Sequence, residues 1–78
     1  MQSVGFNAMG KPIPTSRKQA AYDCAAAMGI DSQDERMSLV NSVAEHLERD
    51  KPFEAQQAAM RHLDLTGAYR LMATLLSA

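Results

Sequence analysis

Helix-start signals recur along the chain and divide residues 15–78 into short segments. Ser16 is followed three residues later by Gln19, and Ser32 is followed at the same spacing by Glu35. In this arrangement, the capping box, the serine oxygen and the side chain three residues later satisfy N–H groups that have no partner inside the helix. Both pairs therefore predict the first turn of an α-helix.

Stop signals lie between these starts. Gly29 can adopt the left-handed conformation that ends many helices, and Ile30 is then placed to cover the last turn. Pro52 suits the first position of a helix, where no backbone N–H is needed. Asp64 or Thr66 can cap a last helix. Together these signals predict helices at residues 16–28, 32–49, 52–63 and 66–77.

The spacing of apolar residues agrees with this division. In the second helix the apolar side chains share one arc and the polar side chains fill the other, which predicts one packed face and one solvated face. We expect Val40, Val43 and Leu47 to be buried there. Alanine surrounds most of the first helix, and Ala20, Cys24 and Met28 form its best candidate stripe. The third helix places Phe53, Ala55, Ala59, Met60 and Leu63 on one side.

The predicted fold is all-α: a compact bundle of four short helices preceded by a flexible N-terminal segment. At 78 residues the chain is one domain at most, and its core is small for independent stability. Residues 1–14 contain two glycines and two prolines, which discourage regular structure, so we assign them to the flexible segment. Residues 15–78 form the helical domain.

Residues that carry chemistry are few and dispersed. His46 and His62 lie sixteen residues apart at the edges of two helices, without the spacing of a metal site. Cys24, the only cysteine, faces an alanine-rich stripe and reads as a packing residue. There is no glycine-rich phosphate loop. We therefore predict no enzymatic activity, no catalytic or metal-binding residues and no cofactor.

The composition also suggests where the chain works. It has no apolar run long enough for a membrane span and no signal-peptide pattern, and a single cysteine cannot form an internal disulfide. The expected location is the cytoplasm, with no membrane partner.

The fourth helix is apolar over an unusually wide arc, about 200° when successive residues are placed 100° apart. One neighbouring helix cannot cover such an arc, so either the fourth helix is a central helix with neighbours on two sides, or part of its face meets another chain. We expect Leu71 and Leu75 to fill the chain's own core, and the other edge to bind a protein partner or a second copy of the chain. This predicts a small regulator, inhibitor or adaptor of a larger protein, with the partner-binding residues Tyr69, Met72, Ala73 and Leu76.

An alternative comes from residues 58–72. Their paired alanines, a Leu-x-Leu-Thr turn and a following Tyr-Arg-Leu resemble the helix-turn-helix of DNA-binding transcriptional regulators, although Asp64 stands where that pattern usually has glycine. The resemblance implies DNA contacts from Arg61, Thr66 and Arg70. Binding to DNA depends mainly on several cations on one face. The candidate recognition helix has only Arg70, and the chain has a net charge of −1, so we rank DNA binding second.

Overall fold

The computed structural model describes residues 12–76, and nearly all of them belong to four α-helices or the short turns between these helices. The predicted all-α fold is confirmed, and no β-strand occurs within the described range. Residues 1–11 of the segment predicted to be flexible lie outside it. The helices are α1 (Thr15–Ala27), α2 (Gln33–Glu48), α3 (Pro52–Ala59) and α4 (Leu65–Leu76).

The helices form a closed ring in which each packs on its neighbours in sequence and α1 packs on α4. Helix α2 also touches α4 across the bundle. Helices α1 and α2 run in opposite directions. Ile13, two residues before the start of α1, contacts Glu48, the last residue of α2. The same holds for α2 and α3, since Glu35 near the start of α2 reaches His62 just beyond α3.

Ile13 ties the start of the described chain to the bundle. Its side chain is buried, and its N–H donates to Glu48 Oε2 at 2.7 Å. Lys18 Nζ lies 3.6 Å from the same oxygen. One carboxylate therefore holds both the entry to α1 and the first turns of that helix against the end of α2.

The first predicted capping box is wrong, because α1 begins two residues earlier than a cap at Ser16 requires. Ser16 lies inside the helix, and Pro14 occupies the cap position without a side-chain hydrogen bond. The Pro14 carbonyl accepts the N–H groups of Arg17 and Lys18 at 3.0 and 3.2 Å. The extended backbone that proline imposes thus leads directly into the helix.

The second capping box forms in one direction only. Ser32 Oγ accepts the N–H of Glu35 at 3.3 Å, as predicted. The Glu35 carboxylate lies instead 3.4 Å from His62 Nδ1. A tertiary contact between Glu35 and His62 has replaced the local half of the motif.

Gly29 ends α1 as predicted, with φ of +96°. The N–H of Ile30 donates to Ala25 O at 3.2 Å and that of Gly29 to Ala26 O at 3.1 Å, which is the Schellman arrangement. Ile30 is buried beside the last turn. Gly29 therefore combines a chain reversal with a core contact.

Helix α2 ends with the same motif at a residue that is not glycine. Asp50 has φ of +58°, its N–H donates to Leu47 O at 3.0 Å, and the N–H of Lys51 donates to His46 O at 2.8 Å. Left-handed backbone is strained for a residue with a Cβ, although aspartate tolerates it better than most. Pro52 then occupies the first turn of α3, as predicted.

Helix α3 is shorter than predicted, ending at Ala59 instead of residue 63. Turn bonds join His62 N–H and Leu63 N–H to Ala59 O at 3.1 and 3.0 Å. The sequence here carries no glycine or proline to mark the stop. The early end lets the chain turn into α4, with His62 facing Glu35 of α2.

The core is made largely of small side chains, with a few larger ones at its centre. Leu39, Val43, Leu71 and Leu75 are the largest fully buried residues. Val40 is buried as predicted, whereas Leu47 is only half-buried. The stripe predicted for α1 is off by one position, since Ala20 is exposed. The small residues of the core are Ala21, Ala25, Ala44, Ala55, Ala59 and Ala68.

Arg36 clamps the turn between α1 and α2. Its Nη1 donates to the carbonyl oxygens of Ile30 and Asp31 at 2.6 and 2.8 Å. Its Nη2 lies 3.3 Å from Tyr22 Oη, and the guanidinium carbon lies 4.8 Å from the centre of the same ring. Charge-assisted hydrogen bonds of this kind are stronger than neutral ones. Arg36 therefore joins α1, the turn and α2 through one side chain.

The two helix ends give opposite predictions for stability. Asp50→Gly removes a strained Cβ and should raise the free energy of unfolding by about 0.5–1 kcal/mol, after allowing for the greater freedom of glycine in the unfolded chain. Gly29→Ala introduces that strain and should lower it by about 1–2 kcal/mol. A new Cβ at Gly29 would meet no atom within 4 Å, so the effect isolates backbone conformation. Urea titrations followed by circular dichroism measure both; a stabilising Gly29→Ala contradicts the assignment.

Candidate partner-binding surface

The start of α4 is held by its cap and by a close contact with α1. Asp64 Oδ1 accepts the N–H of Gly67 at 2.8 Å, so Asp64 is the cap, one of the two predicted. A Cβ at Gly67 would lie 3.1 Å from Leu63 Cβ and 3.3 Å from Met28 Sδ. Only glycine allows this approach without displacement of neighbours. The two contacts determine which side of α4 faces inward.

The inward side of α4 is fully packed. Ala68, Leu71 and Leu75 have no exposed surface, as predicted for the two leucines. They belong to the same cluster as Ala21 and Ala25 of α1. A polar group placed at these positions would have no water and no partner.

The outward side of α4 carries a line of apolar side chains. Leu65, Tyr69 and Leu76 are 44%, 54% and 56% exposed, and Ala73 is also exposed. Met72 is half-buried and packs against the core, so only part of this predicted residue is available to a partner. We call Leu65, Tyr69, Met72, Ala73 and Leu76 the α4 seam. Binding at its predicted members remains a prediction.

Leu65 is the member that the sequence prediction missed. The predicted helix began at residue 66, which left Leu65 in the preceding turn. The structure places it in the first turn of α4, four residues before Tyr69. Counting backward from Leu76 in steps of four, three and four residues would have found it, since such steps keep to one face of a helix.

The seam contains no charged residue, and Arg70 is the only one in α4. Arg70 lies about 120° round the helix from the middle of the seam. A protein that covers the seam therefore desolvates no ion, which removes the largest cost of burying a surface. The Tyr69 hydroxyl can remain at the edge of such a contact, in water.

The residues of the DNA-binding alternative line two different depressions. Thr66 and Arg70 line a depression of about 340 Å³ at the start of α4, together with Met28 and His62. Arg61 lines a separate depression between α2 and α3, beside Glu54 and His46. All three predicted residues are exposed. The structure thus brings Thr66 and Arg70 together and leaves Arg61 apart.

The histidines and the cysteine have structural contacts. His46 Nδ1 lies 2.7 Å from Ser42 O, one turn earlier in α2, and His62 pairs with Glu35. Cys24 is half-buried against the core. Among residues 12–76, no group of three or more His, Cys, Asp or Glu side chains is arranged to hold a metal ion.

A second exposed apolar surface lies between α1 and α2. This cleft has a volume of about 410 Å³ and is lined by Tyr22, Met37 and Val40 among amide side chains. Met37 was predicted to share the packed arc of α2, yet it is 47% exposed. Met37 lies on α2, whereas the seam lies on α4, and its exposure is similar to that of the seam residues. It therefore provides a matched control position.

Acidic substitutions should separate the two sides of α4. Leu71→Glu buries a carboxylate without a partner, which costs several kcal/mol, and should abolish the cooperative thermal transition. Leu76→Glu leaves its carboxylate in water and should cost no more than about 0.3–1 kcal/mol, from the unfavourable charge at a helix C-terminus. Thermal melts followed by circular dichroism compare them. If Leu76→Glu unfolds the chain as severely as Leu71→Glu, Leu76 belongs to the core.

Comparisons with protein-family models, with curated proteins and with solved structures find no match to this chain. None of the helices in the described part of the chain is both long and apolar enough to cross a membrane.

Proposed function

We propose that this chain is a small, non-enzymatic protein–protein interaction module that acts through the α4 seam as a regulator, inhibitor or adaptor of a larger protein. The observation that carries the proposal is the alignment of Leu65, Tyr69 and Leu76 on the outside of one helix. Large apolar side chains in a row, flanked by small residues, are typical of a surface that another helix or a groove covers.

The energetics limit how strong such a contact can be. Fully burying a large apolar side chain is worth about 1.5–3 kcal/mol, and the three exposed ones have roughly half of that left to gain. Association itself costs about 4–15 kcal/mol in lost freedom. The seam's own gain, about 2–4.5 kcal/mol, does not by itself exceed that cost, so binding also needs the apolar surface that the partner buries and further contacts beside the seam. Thr66 and Arg70, on the flank nearest the start of α4, are candidates for them.

The mechanism is occlusion or bridging. In occlusion, the seam fills a groove on the partner and prevents other molecules from binding there. In bridging, the chain holds the partner next to a second protein that it contacts elsewhere. The Tyr69 ring supplies the largest area and its hydroxyl can hydrogen-bond at the rim. We place this activity in the cytoplasm, because the lone Cys24 suits a reducing compartment.

Capture from the native lysate tests the proposal with a matched control. Wild type, Leu76→Glu and Met37→Glu are each immobilised, and the retained proteins are compared by mass spectrometry. We expect at least one protein to be retained by wild type and Met37→Glu and lost, by tenfold or more, with Leu76→Glu, since a carboxylate in the seam would be desolvated on binding. Equal retention by all three variants would place any binding elsewhere.

DNA binding is the alternative and makes a different prediction. Phosphate contacts release counterions, so binding must weaken steeply with salt, and Arg61→Ala or Arg70→Ala must reduce that dependence. Because Arg70 is the only cation of α4 and the chain has a net charge of −1, we expect little binding to random duplex DNA in a mobility-shift titration at moderate salt. Micromolar, salt-sensitive binding that requires Arg70 would reverse the ranking.

A further inference from the structure

We propose that the α4 seam pairs in antiparallel orientation with the α4 seam of a second copy of this chain. The inference rests on the proposed function, because it assigns a partner to the same surface. It starts from the spacing of the four large side chains, Leu65, Tyr69, Met72 and Leu76, which follow one another at four, three and four residues. This is the spacing of the contact positions in paired helices that supercoil round each other.

The spacing of four, three and four residues is the same whether the helix is followed from its N-terminus or from its C-terminus. When a second α4 is laid antiparallel about a two-fold axis that passes between the two helices, level with the midpoint of Arg70 and Leu71, Leu65 meets Leu76 of the second copy and Tyr69 meets its Met72. Every large side chain of the seam then faces an apolar one, and none is left over. A two-fold interface requires this kind of self-complementarity, whereas a surface made for an unrelated protein does not.

The residues beside the seam permit the close approach that such a pair needs. Ala73, at the edge of the seam, and Thr66, just beyond it, lie on its open side, and both are small. Tyr69 faces a methionine, and sulfur in contact with an aromatic ring is favourable. Arg70 lies farther round the same flank, about 120° from the middle of the seam, so its side chain does not face the second helix. No charge is buried on either side.

The length of α4 sets the strength of the pair. Twelve residues make about three turns and a contact about 18 Å long, which is small among stable interfaces. We therefore expect a reversible dimer whose population rises with concentration. Sedimentation equilibrium over a concentration series should show the mass rising from that of one chain toward that of two. Leu76→Glu should remain monomeric, and Met37→Glu should behave as wild type.

Disulfide trapping tests the orientation. Leu65→Cys and Leu76→Cys are made separately in a Cys24→Ser background and oxidised alone or mixed. The antiparallel pair should give a linked dimer only in the mixture, because positions 65 and 76 of different chains then meet. When either variant is oxidised alone, its two cysteines lie at opposite ends of the antiparallel pair. They are then about 16 Å apart along the helix, well beyond the roughly 7 Å limit between Cα atoms of a disulfide. Met37→Cys in the same background measures cross-linking by random collision.

The outcomes separate this inference from the proposed function. A wild-type chain that stays monomeric throughout the series overturns the dimer, and so does cross-linking of Leu65→Cys alone or cross-linking of Met37→Cys as efficient as that of the mixture. If the monomeric chain still captures a protein in a manner sensitive to Leu76→Glu, the proposed function survives. Trapping of the mixture alone, with dimerisation lost in Leu76→Glu, supports the dimer even where no other protein is captured.

Discussion

The helices approach one another closely because nearly half of the apolar residues they bury are alanines, and the arrangement of the whole bundle follows from this. Six of the thirteen buried apolar residues in the described part of the chain are alanines, and Gly67 is buried beside them. Small side chains bring helix backbones near one another, but each buries little apolar area. The bundle thus depends on a few large residues at its centre, Leu39, Val43, Leu71 and Leu75, and on the accuracy with which its helices are placed.

Side-chain contacts at the turns therefore help to determine how the helices are placed. Arg36 holds the turn after α1 through two carbonyl oxygens and the Tyr22 side chain. Glu48 holds the entry to α1, and the pair of Glu35 with His62 joins the start of α2 to the turn before α4. These contacts involve partly exposed side chains and are individually modest. Their importance is geometric, since they fix where each short helix begins and ends. Because the other helices are short and bury mostly small side chains, they do not cover all of the apolar surface of α4. The part that stays exposed is the α4 seam.

Much of the local structure was predictable because its causes are local. Gly29, Ser32, Pro52 and Asp64 act through bonds to residues within a few positions, and each does what its residue type predicts. The failures have tertiary causes. Helix α3 stops at Ala59 without a stop signal. Glu35 leaves its capping role for His62, and an alanine-rich α1 offers no periodicity from which to choose Ala21 over Ala20. The left-handed Asp50 carried a weak signal, since aspartate is among the few residues that tolerate it.

The candidate site divides in the same way. The sequence pattern predicts an all-α chain, the burial of Leu71 and Leu75 in contrast to Tyr69 and Leu76, and a fourth helix with more apolar surface than one neighbour can cover. These follow from periodicity, which is a property of the helix alone. The packing of the helices is needed to see that Met72 is half-buried, that Leu65 joins the seam, and that Arg61 lines a different depression from Thr66 and Arg70. The physical reason is that exposure depends on how close the neighbouring helices come, and that distance is set by contacts such as Gly67 against Met28, between residues far apart in the chain.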